Sequence, residues 1–244
     1  RSMVLDILSN GGTNKNAQPA QTYDSLADQP GVFRTVNDSI AAAKVAQAQF
    51  EECTLATRTK AIEAIRLAMR PLVSALAQKT YEETGMGRLA DKILKLNLAL
   101  DKTPGVEDLV TECETGDNGM TLYELSPYGV IGAVTPSTNP SETLICNSIG
   151  MLAAGNAIFF SVHPGAKNLS CWLVSKLNKI VNDAIGISNL IVSIAEPSIE
   201  AAQEMMTHPD VSLLVVTGGP GVVHQALISG KKTIGAGAGN PPVF

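Results

Sequence analysis

From Tyr128 onward, short apolar β-branched runs alternate with amphipathic stretches, and this alternation restricts the architecture more than any other feature of the 244-residue chain. The pattern predicts strands at 128–134, 157–162, 190–195, 211–217 and about 232–235, with helices near 140–154, 166–184, 198–207 and 220–229. Strands that are apolar throughout, each followed by a helix, call for right-handed crossovers and a parallel sheet covered on both faces. The expected fold class is therefore α/β, a doubly wound parallel sheet of the nucleotide-binding kind. No internal repeat of fixed period interrupts it.

The first half reads differently. Residues 1–31 read as a flexible tail and linker: Met3 to Leu8 suggests the end of an amphipathic helix, and Gly11 to Ala20 has no face to bury. Asp38 is a candidate cap for a helix running to about Glu52, and a second helix covers Leu55 to Arg70 before Pro71 breaks it. The next runs to about Thr84 ahead of Gly85, and Leu89, Ile93, Leu96 and Leu100 mark one face of a fourth. Leu109 to Thr115 and Met120 to Leu125 flank Gly116-Asp-Asn-Gly119, the signature of a β-hairpin. A lone two-stranded ribbon is marginal in water, so this one should pair with a further domain or a partner subunit. The expected division is a tail at 1–31 and a cofactor-binding domain at 32–244. Within that domain fall a helical segment at 36–102, an oligomerisation hairpin at 109–125 and the parallel α/β part at 126–244.

Composition excludes several classes. Apolar residues make up 45% of the chain and charged ones 17%, enough for a sizeable core and too little charge for disorder. The net charge of −5 is dispersed, which gives nucleic-acid binding little support. Gly155-Asn156 interrupts the longest apolar stretch before it reaches membrane-spanning length, and no secretory signal is evident. Cys53, Cys113, Cys146 and Cys171 have no metal or redox spacing, so reduced thiols are the simple reading. Three histidines without clustered carboxylates predict no metal site.

The chemistry concentrates in Ser126-Pro-Tyr-Gly-Val-Ile-Gly-Ala-Val-Thr-Pro-Ser-Thr-Asn-Pro-Ser-Glu142. A buried strand ends in a polar turn, with Asn139 as helix cap, Pro140 at the first helical position and Glu142 at the capping-box position. A polar turn leaving the C-terminal end of a parallel strand is where such sheets bind ligands, so the Asn139 carboxamide should stand at the crevice with its NH2 free to donate. Thr217-Gly-Gly-Pro220 is a second strand-to-helix turn, suited to an anion or to an ordinary tight connection. His163-Pro-Gly-Ala166 is a third on the same sheet edge. Gly235-Ala-Gly-Ala-Gly-Asn-Pro-Pro242 fails as a dinucleotide fingerprint, because Asn240 replaces the third glycine and the two prolines prevent a helix there. Slim backbone against which a ligand can lie is the better reading.

These residues resemble the N-terminal part of the coenzyme A-acylating aldehyde dehydrogenases, those of ethanolamine- and propanediol-utilising bacterial microcompartments above all. The resemblance runs from about Val32 to Val243 and is carried by Ala41-Ala-Ala-Lys-Val-Ala46, Glu83-Thr-Gly-Met-Gly-Arg88, Thr103-Pro-Gly-Val-Glu107, Thr115-Gly-Asp-Asn-Gly119, Thr135-Pro-Ser-Thr-Asn-Pro140, Ala153-Ala-Gly-Asn156, His163-Pro164, Val216-Thr-Gly-Gly219 and the glycine-rich 235–242 stretch. It implies that a cysteine thiolate attacks a short-chain aldehyde, that hydride passes to NAD, and that coenzyme A then takes the acyl group. It implies that Asn139 is the catalytic oxyanion-hole asparagine. The nicotinamide-cofactor groove is implied to involve Thr135, Pro136, Ser137, Thr138, His163, Pro164, Ala195, Thr217, Gly218, Gly219, Val222, Gly237 and Ala238. The family further implies a homo-oligomer built through the 109–125 hairpin, a tail that targets a microcompartment shell, and a place in the cytoplasm or the microcompartment lumen.

Two departures from the wider aldehyde dehydrogenase pattern stand out. Ala236 aligns where hydrolytic members carry a glutamate that activates water, which favours acyl transfer to a thiol over hydrolysis. Likewise His163 and Ala166 align where those members hold the adenosine ribose with a lysine and a glutamate. Phe244 is expected to precede the segment bearing the nucleophilic cysteine, so the catalytic domain is absent and the chain as given should bind cofactor without turning over aldehyde. Cys146, expected to face the sheet, is no substitute. The alternatives are a catalytically silent nucleotide-binding or scaffolding module and an acyl-phosphate reductase of the same superfamily.

Overall fold

A computed structural model describes residues 24–237 and Gly239. Met3–Leu8, the 11–20 linker, Ala238 and residues 240–244 lie outside the described residues.

The chain enters through α1 (Asp24–Ala27) and β1 (Val32–Phe33), then α2 (Val36–Glu51), α3 (Leu55–Met69), α4 (Val73–Thr84) and α5 (Leu89–Lys102). Residues 24–31, expected in the tail, thus belong to the fold: Leu26 is 2% exposed, and β1 pairs in parallel with the edge of the sheet. A two-residue strand carries no periodicity, so the sequence could not announce it. The cap of α2 is Thr35 instead of Asp38; its hydroxyl oxygen accepts the Asp38 N–H at 3.1 Å, with Asp38 in the first turn. Pro71 produces a 3-10 turn at Arg70–Leu72 between α3 and α4, and Gly85 ends α4 in the left-handed conformation (φ 63°).

β2 (Glu112–Gly116) and β3 (Gly119–Tyr123) form the antiparallel hairpin, shorter at its open end than the sequence suggested and one residue longer in each strand at the turn. Then follow β4 (Val130–Val134), α6 (Pro140–Ala153), β5 (Ala157–Ser161), α7 (Lys167–Ile185), β6 (Ile191–Ile194), α8 (Ile199–Thr207), β7 (Val211–Thr217), α9 (Pro220–Leu227) and β8 (Lys232–Ala236). The described strands form one six-stranded parallel sheet ordered β1-β6-β5-β4-β7-β8, apart from the hairpin. Every residue of β4, β5 and β6 is buried, as strands covered on both faces must be. α2 and α8 lie over one face of the sheet; α6 and α7 cover the other, with α3 packed on both of them. No helix among the described residues is long and apolar enough to cross a membrane.

Long-range capping ties the helical segment to the sheet. The Glu83 carboxylate, at the end of α4, accepts the Asn168 N–H at 2.9 Å and the Leu169 N–H at 2.7 Å in the first turn of α7. An anion on two orphan amides at a helix N-terminus is stabilising. Glu83→Ala is expected to cost about 1–2 kcal/mol, read as a lower urea midpoint at unchanged slope.

Candidate active site

Sheet order fixes where a site can be. The chain runs β4 to β5 to β6 toward one edge, then places β7 on the opposite side of β4. Connections leaving β4 and β7 therefore diverge and open a crevice at the C-terminal strand ends. A groove of about 870 Å³ lies there, within the size of small-molecule sites.

Three strand ends supply its walls. After β4 come Thr135, Pro136, Ser137, Thr138 and Asn139; after β5, His163 and Pro164; after β7, Thr217, Gly218 and Gly219, with Val222 behind them. Gly237, just beyond β8, closes one end. Thr135 is 2% exposed, and its hydroxyl, sealed from solvent, has no hydrogen-bond partner among the described residues. The His163 Nδ1 accepts the Gly165 N–H at 3.0 Å, which leaves the Nε2 as the proton-bearing nitrogen of the neutral ring. An added Cβ on Gly219 or Gly237 would meet nothing within 4 Å, so both keep the groove wide; on Gly218 it would lie 2.6 Å from Val222. At α9, Pro220 has no N–H and the first-turn amides of Gly221 and Val222 have no intrahelical acceptor, the arrangement that attracts an anion. Ile199, 74% exposed, forms with Ala202 and Val222 an apolar slot between α8 and α9.

Asn139 stands at the inner end of the groove. Its side chain does not cap α6. The Oδ1 instead accepts a hydrogen bond from Lys95 Nζ at 2.9 Å, while the Nδ2 is 3.5 Å from the Thr138 Oγ1. A charged donor outcompetes a backbone amide for the same oxygen. The reciprocal half of the capping box is not made either: Glu142, 8% exposed, has both carboxylate oxygens buried and unpartnered among the described residues.

Asn139 also borders a second cavity of about 630 Å³ between α5 and α6, lined by Lys95, Lys102, Glu142 and Cys146. Contrary to expectation, Cys146 faces this cavity and not the sheet; its sulfur accepts the Thr103 hydroxyl at 3.1 Å. Seven residues along α6 separate it from Asn139, about 10 Å by helical rise, too far for both to act on one carbonyl carbon. Cys171 is buried, and desolvation pushes its thiol up to about 12, as befits a core residue.

One predicted groove residue is not in the wall. Ala195 is a correction: it is 4% exposed and packs in the core, its N–H donating to the Phe33 carbonyl at 2.9 Å. The unforeseen β1 occupies it. Ala238 lies outside the described residues. Sequence reasoning missed Ser198, Ile199 and Ala202, which line the groove; a polar residue closing the turn after β6 was the available signal. It also missed Lys95, whose position on an amphipathic helix gave no sign of its target. Among the described residues no carboxylate lines the groove.

The sequence model described as the aldehyde dehydrogenase family matches residues 9–235. The chain belongs to that family. It is 51% identical over 241 residues to a propanal dehydrogenase (CoA-propanoylating) of Salmonella typhimurium, covering 99% of this chain and 51% of that protein. Among solved structures, a propionaldehyde dehydrogenase from the Clostridium phytofermentans fucose utilisation bacterial microcompartment superposes with a TM-score of 0.85 at 48% identity, over 88% of this chain and 49% of that one. An engineered glycolyl-CoA reductase with bound NADP+ gives a TM-score of 0.84 at 48% identity, over 87% of this chain and 48% of that one. The chain thus spans about half the length of the relatives it matches. As in this family, its fold is a doubly wound α/β sheet with an N-terminal helical segment and a projecting hairpin.

Proposed function

We propose that this chain is the dinucleotide-binding portion of an NAD-dependent, coenzyme A-acylating aldehyde dehydrogenase acting on a short-chain aldehyde. One observation carries the reading: the turns after β4, β5 and β7 meet around Asn139 in a groove to which the described residues bring no carboxylate. The family relationship narrows the chemistry to oxidation of an aldehyde. Ala236, the last residue of β8, leaves no acid at that point to activate water. An acyl group on the enzyme then persists until a better nucleophile, the thiol of coenzyme A, removes it. The relative named for CoA-propanoylation supports this assignment.

The residues present fit a dinucleotide. The Ser137 and Thr138 hydroxyls, on groove-lining residues of the turn after β4, can bond a ligand's polar groups. The first-turn amides of α9 suit a pyrophosphate, the slot at Ile199, Ala202 and Val222 suits a flat base, and the His163 Nε2 can donate to a ribose hydroxyl. Bound there, the cofactor supplies the hydride acceptor. The chain's own part is to hold it with Thr135, Pro136, Ser137, Thr138, His163, Pro164, Thr217, Gly218, Gly219, Val222 and Gly237, and to offer the Asn139 N–H to the oxygen of the reacting carbonyl.

We assign the hairpin to assembly. Its apolar Met120 and Leu122, two apart on β3 and so on one face, are 65% and 59% exposed, a face that a second copy would cover. The binding domain in this reading starts at α1 and not at residue 32, and the protein works in the cytoplasm or in the lumen of a bacterial microcompartment, as its similarity to the Clostridium enzyme supports.

The complete gene product, given a short-chain aldehyde, NAD and coenzyme A, is expected to form acyl-CoA and NADH in equal amounts. Carboxylic acid in place of the thioester would overturn the acylating assignment. Calorimetric titration of this chain with NADH should show one site per chain, and no heat of binding would overturn the groove assignment.

A further inference from the structure

We propose that Lys95 is a positioning residue that fixes which end of the Asn139 carboxamide meets the reacting oxygen. The inference rests on the acylating dehydrogenase reading above and names a part of the site outside the groove. It begins with helix spacing. Lys92 and Lys95 stand three apart on α5, so both side chains leave the same face. Lys92 is 3% exposed and its Nζ lies 3.4 Å from the Thr138 carbonyl oxygen. Lys95 Nζ lies 2.9 Å from the Asn139 Oδ1. One helix thus holds both the backbone of the turn and its reactive side chain.

An asparagine carboxamide is nearly symmetric in shape, and turning it by half a revolution exchanges a donor for an acceptor. With the NH2 toward the groove it can stabilise an oxyanion; with the oxygen there it repels one. An ammonium group has donors only, so the atom it bonds must be the oxygen. The NH2 is thereby directed away from α5. Its one hydrogen-bond contact among the described residues, 3.5 Å to the Thr138 Oγ1, is at the limit of a hydrogen bond and leaves its donors unspent. A positive charge on the far side of the amide also polarises its N–H bonds toward an incoming anion. Lys95 has a competing partner in the same cavity, the unpaired Glu142 carboxylate, yet it bonds the amide.

The test uses the complete gene product with Lys95→Met, Lys95→Arg, Asn139→Ala and the Met/Ala double variant. Lys95→Met should lower kcat about tenfold, with KM for aldehyde and NAD within about twofold, because orientation matters only as charge develops. Lys95→Arg, which keeps a donor-only cation, should recover most of the loss. The double variant should be no slower than Asn139→Ala alone, since Lys95 acts through that amide. Unchanged kcat in Lys95→Met, or losses that multiply in the double variant, would overturn the proposal. If the parent enzyme makes no acyl-CoA, the function fails first, and NMR of this chain decides the positioning role. The Asn139 side-chain NH2 resonances, identified by their loss in Asn139→Ala, should shift in Lys95→Met and stay in Lys95→Arg. Resonances indifferent to both would refute the contact.

Discussion

Asn139→Ala is expected to lower kcat of the proposed acyl-transferring enzyme by about 100- to 1000-fold, the cost of removing one oxyanion-hole donor. The geometry explains why so much should depend on one amide. Asn139, with Thr143 and Thr217, borders both the groove and the cavity between α5 and α6, and of the three only Asn139 carries an amide donor for a carbonyl held between the proposed cofactor and the nucleophile. Its oxygen is committed to Lys95 and its NH2 is available. NADH affinity should change little, because the contacts proposed for the pyrophosphate and base lie along α8 and α9. A kcat within threefold of the parent would remove Asn139 from the catalytic machinery; a parallel loss of NADH binding would point to a collapsed turn.

The second large effect concerns stability. Phe159 is fully buried on β5, in register with Gly132 of β4 and Val192 of β6. Registered neighbours share a face, and over Gly132 the Met205 sulfur of α8 fills the space that a Cβ would take, 2.1 Å from its position. Phe159→Ala would leave a void in this packed layer that rigid strands cannot close. The expected cost is about 3–5 kcal/mol, a large share of the usual 5–15 kcal/mol of domain stability. For a chain of this size that lowers Tm by roughly 6–20 °C, measurable by scanning calorimetry. A fall under 2 °C would mean that the layer repacks freely. Because β5 delivers His163 to the groove, weaker NADH binding should accompany the loss.

Elements with a strong period were legible in the sequence. The parallel strands and their helices lie within two residues of their predicted bounds, since apolar runs ended by Gly155 or Gly186 admit few alternatives. Local rules failed where a distant partner intervened. Asn139 and Glu142 have capping-box spacing, but an ammonium from 44 residues upstream takes the Asn139 oxygen. Ala195 follows a strand like other groove residues, but β1, too short to show a period, ties up its backbone. Cys146 looked like a sheet-facing residue because α6 is apolar nearly all round, and only the packing of α5 shows which side is open.

By itself the sequence determined that a parallel sheet would form, which turns would end at its C-terminal edge, and that Ala236 brings no acid to them. Those outcomes follow from periodicity and residue type, which act over a few positions along the chain. Only the tertiary structure decided which way the Asn139 amide turns, that Ile199 and Val222 line one groove, and that a second cavity opens beside the turn. Each of these depends on groups far apart in sequence meeting within a few ångströms, and strand order sets that meeting, which no local pattern encodes.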